Sequence, residues 1–388
     1  MLKLKHLLHP VRTAHVATIR LLAHINMRRF ASHSQQHFRS DPRYDLKNVT
    51  EGFASRFVPS SGDTGLLERI CRAYARTVSH PQSALACYEP TEWWKELRES
   101  CLGPVMRALQ EGDVAALRTM YANFFRDRCA TGLIGVPYGM VKAYFHGPGR
   151  DVHRHSYMGD ALYRIDYWLS RTGGRFGLPD LAGPGVGDPF GVSIDGTLVR
   201  SGSEYQHYCA HQILSRLDTG PSVVGEIGGG YGGMAYYLVR DGGHLTYIDF
   251  DVPESIALTS YYLLKAFPSS RFLLYGEKDL TAEALAASDI VLLPLFEMAG
   301  MPAGSLNLTF SSHAMGDLSD RAMAEYLGVI TRMTKDYLLY FGDSRAAVRL
   351  SNLGDGCLNL LEARSTAWNC HKTPKASEGE YLYQVGRH

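Results

Sequence analysis

EIGGGYGGM, residues 226–234, sets a carboxylate two positions ahead of a glycine run, and an apolar helical pattern follows at once. Glycine between a strand and a helix lets a ligand touch backbone and permits positive φ. Two ligand classes use such a turn. Gly228, Gly230 and Gly233 fit G-x-G-x-x-G, the dinucleotide spacing. Gly228, Gly230 and Gly232 equally fit G-x-G-x-G, the spacing of S-adenosylmethionine enzymes. The neighbouring residues separate the two. Glu226 would repel a pyrophosphate but attract the ammonium and sulfonium of S-adenosylmethionine. Asp251, nineteen residues after Gly232, ends HLTYIDFD and can accept both hydroxyls of a ribose, a use open to either class. No basic residue near the turn is placed to meet a phosphate. The expected ligand is therefore S-adenosylmethionine, held by Glu226, Gly228, Gly229, Gly230, Tyr231, Gly232 and Asp251. Phe296 in DIVLLPLFEM and Ser311 in NLTFSS are assigned to the same site.

Transfer of a methyl group to a hydroxyl gains from a general base, by roughly 10²–10⁴-fold. His313, directly after NLTFSS, stands where strand ends of such folds place catalytic groups, and histidine titrates near neutral pH. Its structural alternative is a histidine that fixes the strand-to-helix turn. His207 is the rival base, with His211 one helical turn further on. The pair also has the spacing of two zinc ligands, but no Glu follows His207 and no third ligand is evident, so no metal is expected. His153 and His155 in DVHRHSY read as loop histidines. Aromatic faces suit sugar rings, and Tyr205 with the loop tyrosines Tyr138, Tyr144 and Tyr157 are the candidates for acceptor binding. Trp93, Phe124 and Phe125, at helical spacing, are assigned to the core.

These residues need elements to hold them. From residue 201, strand and helix patterns alternate: helix SEYQHYCAHQILSRL, strand VVGEI, helix GMAYYLVRD, strand HLTYIDFD, helix PESIALTSYYLLKAF opened by Pro253. RFLLY, DIVLLPLFEM, NLTFSS and DYLLYF read as further strands, and RAMAEYLGVITRM as a helix. The alternation predicts an α/β fold with a largely parallel sheet and ligands at the strands' carboxyl ends. Residues 64–130 read as helical, with Thr91 a candidate N-cap, and 132–200 as a looser stretch rich in Gly, Pro and aromatics. The expected division is a basic segment (1–45), a helical and loop-rich cap (46–200) and a Rossmann-like domain (201–388).

EIGGGYGG, DVPE after a strand, YYLLKAFP and SSHAMGDLS together resemble the sugar O-methyltransferases of bacterial polysaccharide and antibiotic pathways. NFFRDR, GDPFG and SEYQHY extend the resemblance more faintly over most of residues 85–350. It implies a Rossmann-like class I methyltransferase domain that uses S-adenosylmethionine, with the ribose contact at Asp251 rather than Asp249. That family mostly has an Asn before its Ser and an acidic pair after it. Here His313 and a lone Asp317 occupy that region, which makes Asp317 a further catalytic candidate. Other acceptors compatible with this reading are polyketides, phenols and peptides. A binding module without turnover is the alternative of another class.

Composition sets the bounds. Of 388 residues, 45% are hydrophobic and 20% charged, which predicts a sizeable core. Lys+Arg 40 against Asp+Glu 39 gives no basic excess for nucleic acid. No apolar run reaches the roughly 20 residues that span a bilayer. Seven scattered cysteines without a CxxC pair read as reduced thiols of a cytoplasmic protein. Met1 to Ser40 contains no Asp or Glu and seven Lys or Arg, with apolar residues at near-helical spacing. It fits a transit peptide or a membrane-surface helix, and equally a peripheral basic helix.

Overall fold

The computed structural model describes residues 10–57, 62–81, 85–146, 149–368 and 378–386. Cys370 and the first nine residues of the basic segment lie outside them. No described helix is long and apolar enough to cross a membrane.

A short hairpin, β1 (Gly191–Ile194) and β2 (Thr197–Arg200), precedes the main sheet. The main sheet contains β3 (Ser222–Ile227), β4 (Leu245–Asp251), β5 (Phe272–Leu274) and β6 (Ile290–Pro294). It continues with β7 (Leu306–Ser312), β8 (Thr334–Asp343), β9 (Leu358–Ser365) and β10 (Glu378–Val385). Their order is β5-β6-β4-β3-β7-β8-β10-β9, parallel except that β10 runs antiparallel to both its neighbours. From β3 the chain passes through β4 to the edge strand β5, returns to β6 beside β4, then crosses to β7 on the other side of β3. The connections leaving β3 and β7 therefore diverge, which opens a crevice at their carboxyl ends. This is the Rossmann-like topology of class I methyltransferases, preceded by a helical N-terminal region.

The central strands are buried on both faces, as parallel strands under helices must be. Alternate residues enter different clusters: Leu339 and Phe341 pack on one face of the sheet, Leu338 and Tyr340 on the other. The first face carries the N-terminal region, so that Phe38, Leu67, Trp168 and Leu308 belong to one continuous core. Helices Asp320–Met333 and Ser344–Leu353 supply Tyr326, Ile330 and Leu350 to the second.

One expectation for residues 132–200 is corrected. The stretch contains a 23-residue helix, Arg150–Thr172, and a shorter one, Tyr138–Phe145. Tyr157, Met158, Ala161, Leu162, Ile165 and Trp168 form the long helix's buried face at three- and four-residue spacing. Glycines at both ends (Gly149, Gly173) stop it, and they gave the segment its loop-like composition. His153 and His155 are thus helical, as are Tyr138, Tyr144 and Tyr157. The basic segment forms helix Pro10–His37, which lies along Arg150–Thr172 where Gly159 leaves room for Ser34.

Candidate active site

The glycine turn joins β3 to helix Gly233–Asp241, with positive φ at Gly228 (80°), Gly230 (65°) and Gly232 (87°). A side chain at Gly228 would collide with Ala314, so this position needs glycine for space as well as for conformation. Four of the turn's N–H groups have protein partners. Gly228 N–H donates to the Phe250 carbonyl (3.0 Å) and Gly232 N–H to the Gly229 carbonyl (3.1 Å). Gly229 N–H donates to Asp249 Oδ1 (3.2 Å) and Gly230 N–H to Asp251 Oδ2 (3.0 Å). A turn built for a pyrophosphate presents such groups to the ligand. Here two carboxylates already occupy them.

Those carboxylates belong to a buried trio. Parallel pairing sets Glu226 of β3 beside Asp249 of β4, and Asp251 ends the same strand. Tyr247 donates to Glu226 Oε2 (2.5 Å), and Val252 N–H to Asp251 Oδ1 (2.7 Å). The Ser255 hydroxyl lies 2.5 Å from Asp251 Oδ2 and 2.8 Å from the Gly230 carbonyl. Asp249 Oδ2 is buried with no hydrogen-bond partner among the described residues. Burial pushes all three carboxyls up: Asp251 to about 6, Glu226 to about 8 and Asp249 well above its usual range. The charges of Asp251 and Glu226 add to the rise at Asp249, and that of Asp251 to the rise at Glu226. A cation beside them would favour their ionised forms.

Two cavities meet at this turn. The first, about 320 Å³, is bounded by Asp251, Val252 and Leu295 from the strand ends and by Tyr88 and Pro90 from the N-terminal region. The second, about 540 Å³, is bounded by Glu226, Gly229, Tyr205, Gln206 and Trp368. Seven residues line both: Trp93, Gly132, Leu133, Gly228, Gly230, Ser312 and His313. Tyr205 Oη and Ser312 Oγ share a hydrogen bond of 2.6 Å across the second cavity's wall.

His313 follows β7 directly and is exposed, with φ 63° and ψ −31°. Positive φ at a residue with a side chain costs of order 1–3 kcal/mol and persists only when the surroundings impose it. Here they do, because His313 N–H donates to the Phe341 carbonyl (2.8 Å) while its carbonyl accepts from Gly316 (2.8 Å). Asp317, one short turn later, lines the first cavity.

His207 is placed elsewhere. It is fully buried among Trp168, Phe176 and Tyr237 and lines neither cavity. Burial pushes its pKa down to about 4, which keeps it neutral. The structure does supply the third residue missing from the zinc spacing: potential ligand atoms of His207, His211 and Asp241 lie within 4.8 Å of one another. Most of the set's atoms are already in hydrogen bonds. Trp168 donates its indole N–H to His207 Nδ1 (3.2 Å), while His207 Nε2 is buried with no hydrogen-bond partner among the described residues. Asp241 already holds Arg240 (2.6 and 2.8 Å) and His211 (3.1 Å).

The other assigned residues divide. Glu226, Gly228, Gly229, Gly230, Asp251 and Tyr205 line one or both cavities. Tyr231 is buried behind the turn, donating to Gln206 Oε1 (2.8 Å), and Gly232 begins the helix. Ser311 ties β7 to β3 by donating to the Ile227 carbonyl (3.1 Å), whereas its neighbour Ser312 faces the cavities. Phe296 stacks on His80 (4.8 Å) in a smaller adjoining cavity that shares Asp251, Val252 and Leu295. Tyr144 and Tyr157 are core residues, and Tyr138 lines neither large cavity. Phe124 and Phe125 are buried, but Trp93 is 52% exposed over the site rather than in the core. Sequence reading missed Trp93, Gly132, Leu133 and Trp368 in this role. They come from regions with no local motif, and only the fold brings them to the turn.

No family model matches the chain, and no curated protein does. Among solved structures it is similar to a SAM dependent methyltransferase from Aquifex aeolicus, at 14% identity over 47% of this chain and 93% of that one, with TM-score 0.34. It is also similar to magnesium protoporphyrin IX methyltransferase from Synechocystis PCC 6803 with bound SAM, at 11% identity over 58% and 97%, with TM-score 0.35. A predicted O-methyltransferase from Agrobacterium tumefaciens matches at 11% identity over 46% and 81%, with TM-score 0.33. Likenesses this remote leave the site to be read from its own geometry.

Proposed function

We propose that the chain binds S-adenosylmethionine with its ribose in the first cavity and its methionyl end reaching Glu226 in the second, and methylates a hydroxyl of a sugar or glycosylated metabolite held in the rest of the second cavity. One observation carries the donor assignment. The turn's N–H groups at Gly229 and Gly230 are occupied by Asp249 and Asp251, and Glu226 stands beside them, so the site favours a cation over a pyrophosphate.

Asp251, which lines the cavity, would accept the ribose hydroxyls, and Glu226 would face the ammonium. The donor supplies an electrophilic methyl group on a positive sulfur. His313 lines both cavities and would take the acceptor's hydroxyl proton on a ring nitrogen as the oxygen forms its bond to carbon. The N-terminal region borders the site through Tyr88, Pro90 and Trp93, which narrows the approach to the donor. Aromatic side chains (Tyr205, Trp368) and polar ones (Ser312, Gln206) both line the second cavity, as suits a polyol with apolar C–H faces.

Incubation of the protein with methyl-labelled donor and a panel of sugars, glycosides, phenols and peptides tests this reading. Label transfer to sugars or glycosides is expected. Transfer only to phenols or peptides would replace the acceptor class, and donor binding without any transfer would favour a module without turnover.

A further inference from the structure

Resting on the donor assignment above, the reacting methyl must point from the first cavity into the second, so the positive sulfur belongs where the two meet. Glu226 lines only the second cavity and Asp251 only the first. Glu89 and Asp317 likewise border the first alone, and Glu378 the second alone. No described carboxylate lines both.

What the junction offers instead is an indole. Trp93 is the one residue of the seven with an extended π face, and a face of this kind attracts a cation through its quadrupole. Its placement is fixed by its surroundings rather than by burial of its own ring. Thr91 Oγ1 caps the short helix Glu92–Leu97 by accepting from Trp94 N–H (3.3 Å). Trp94 donates its indole N–H to Glu254 (2.6 Å), and Arg98 reaches the same carboxylate (2.5 and 2.9 Å). The chain at Gly132, with φ 87°, lies so close that a Cβ there would come within 2.6 Å of Leu97 and 3.0 Å of Trp94. The backbone under Trp93 is anchored, yet 52% of the residue remains uncovered above the junction.

We propose that Trp93 is a donor-binding residue that recognises the positive sulfur through its indole face. It would thereby distinguish S-adenosylmethionine from its demethylated product, S-adenosylhomocysteine, which has a neutral thioether at the same place. The preference favours the reactive donor and eases release of the product.

The test is calorimetric and independent of turnover. Both compounds are titrated into wild type, Trp93→Phe and Trp93→Leu, with the melting temperature of each variant recorded. Trp93→Leu is expected to weaken S-adenosylmethionine binding roughly three- to thirty-fold, with Trp93→Phe between it and wild type. Binding of S-adenosylhomocysteine should change by less than about twofold. Equal losses for both compounds would reduce Trp93 to apolar packing and overturn the inference, as would no loss for either. If Trp93→Leu failed to fold, the same ratio read from Trp93→Phe would decide. Wild-type protein that bound neither compound would overturn the donor assignment itself, a result distinct from equal losses in the variants.

Discussion

Gly230 N–H donates to Asp251 Oδ2 at 3.0 Å, and the same carboxylate lines the first cavity. The residue expected to meet the ribose thus also holds the turn in shape. Asp251→Ala should weaken donor binding by about tenfold or more, since each lost hydrogen bond contributes roughly 0.5–1.5 kcal/mol. Asp251→Asn should lose less, because its amide oxygen can still accept from Gly230. Calorimetry checks both, and an unchanged affinity in Asp251→Ala would remove this residue from the donor site.

The buried trio predicts a pH dependence. Folded pKa values above the usual carboxyl range mean that this contribution to stability is fully present below about pH 4. It is lost as pH rises through the folded values, about 6 for Asp251 and about 8 for Glu226. A cationic ligand favours the ionised forms and should restore stability over that window. The rise in melting temperature on adding S-adenosylmethionine should therefore grow from pH 5 to pH 8, and grow less in Glu226→Gln. A ligand-induced rise that is flat with pH in wild type would contradict the charge argument.

How far the sequence carried depends on where the signal lies. The strands and helices between Ser203 and Asp343 repeat a period that residues announce locally, and Glu226, the glycines and Asp251 stand at fixed distances from those elements. Ser311 and Ser312 show the limit of such reading. One position along a strand exchanges the interior for the cavity, and NLTFSS alone does not tell which serine faces out. Helix Arg150–Thr172 was hidden because Gly149 and Gly173 dominate a composition-based reading of its surroundings. Trp93 and Trp368 reach the turn through tertiary packing, to which no spacing points.

His313→Ala should lower turnover by ~10²-fold or more and leave donor affinity near normal, because a general base acts on the transition state. The acidic limb of the pH profile should vanish with the imidazole. His207→Ala should instead lower the melting temperature, since His207 is packed under Trp168 and Phe176, and should leave the turnover of the folded fraction intact. The opposite pattern would move the base to helix Ser203–Leu214.

Glu254 joins the N-terminal region to helix Pro253–Ala266 by accepting from Trp94 and Arg98, with its side chain 1% exposed. Glu254→Ala leaves the guanidinium of Arg98, only 26% exposed, without its carboxylate. Urea denaturation should show a loss of about 1–3 kcal/mol, below the ~3–5 kcal/mol of a fully buried pair because water still reaches the arginine. Unchanged stability would mean that this pair does not anchor the two parts.

The central claim is that a turn with the Gly229 and Gly230 N–H groups taken by carboxyl groups holds a cationic sulfur donor and not a dinucleotide. Calorimetric titration of the wild-type protein with S-adenosylmethionine, S-adenosylhomocysteine and NAD tests it most directly. The account predicts saturable binding of both sulfur compounds and none of NAD. Saturable NAD binding with no response to either sulfur compound would contradict it.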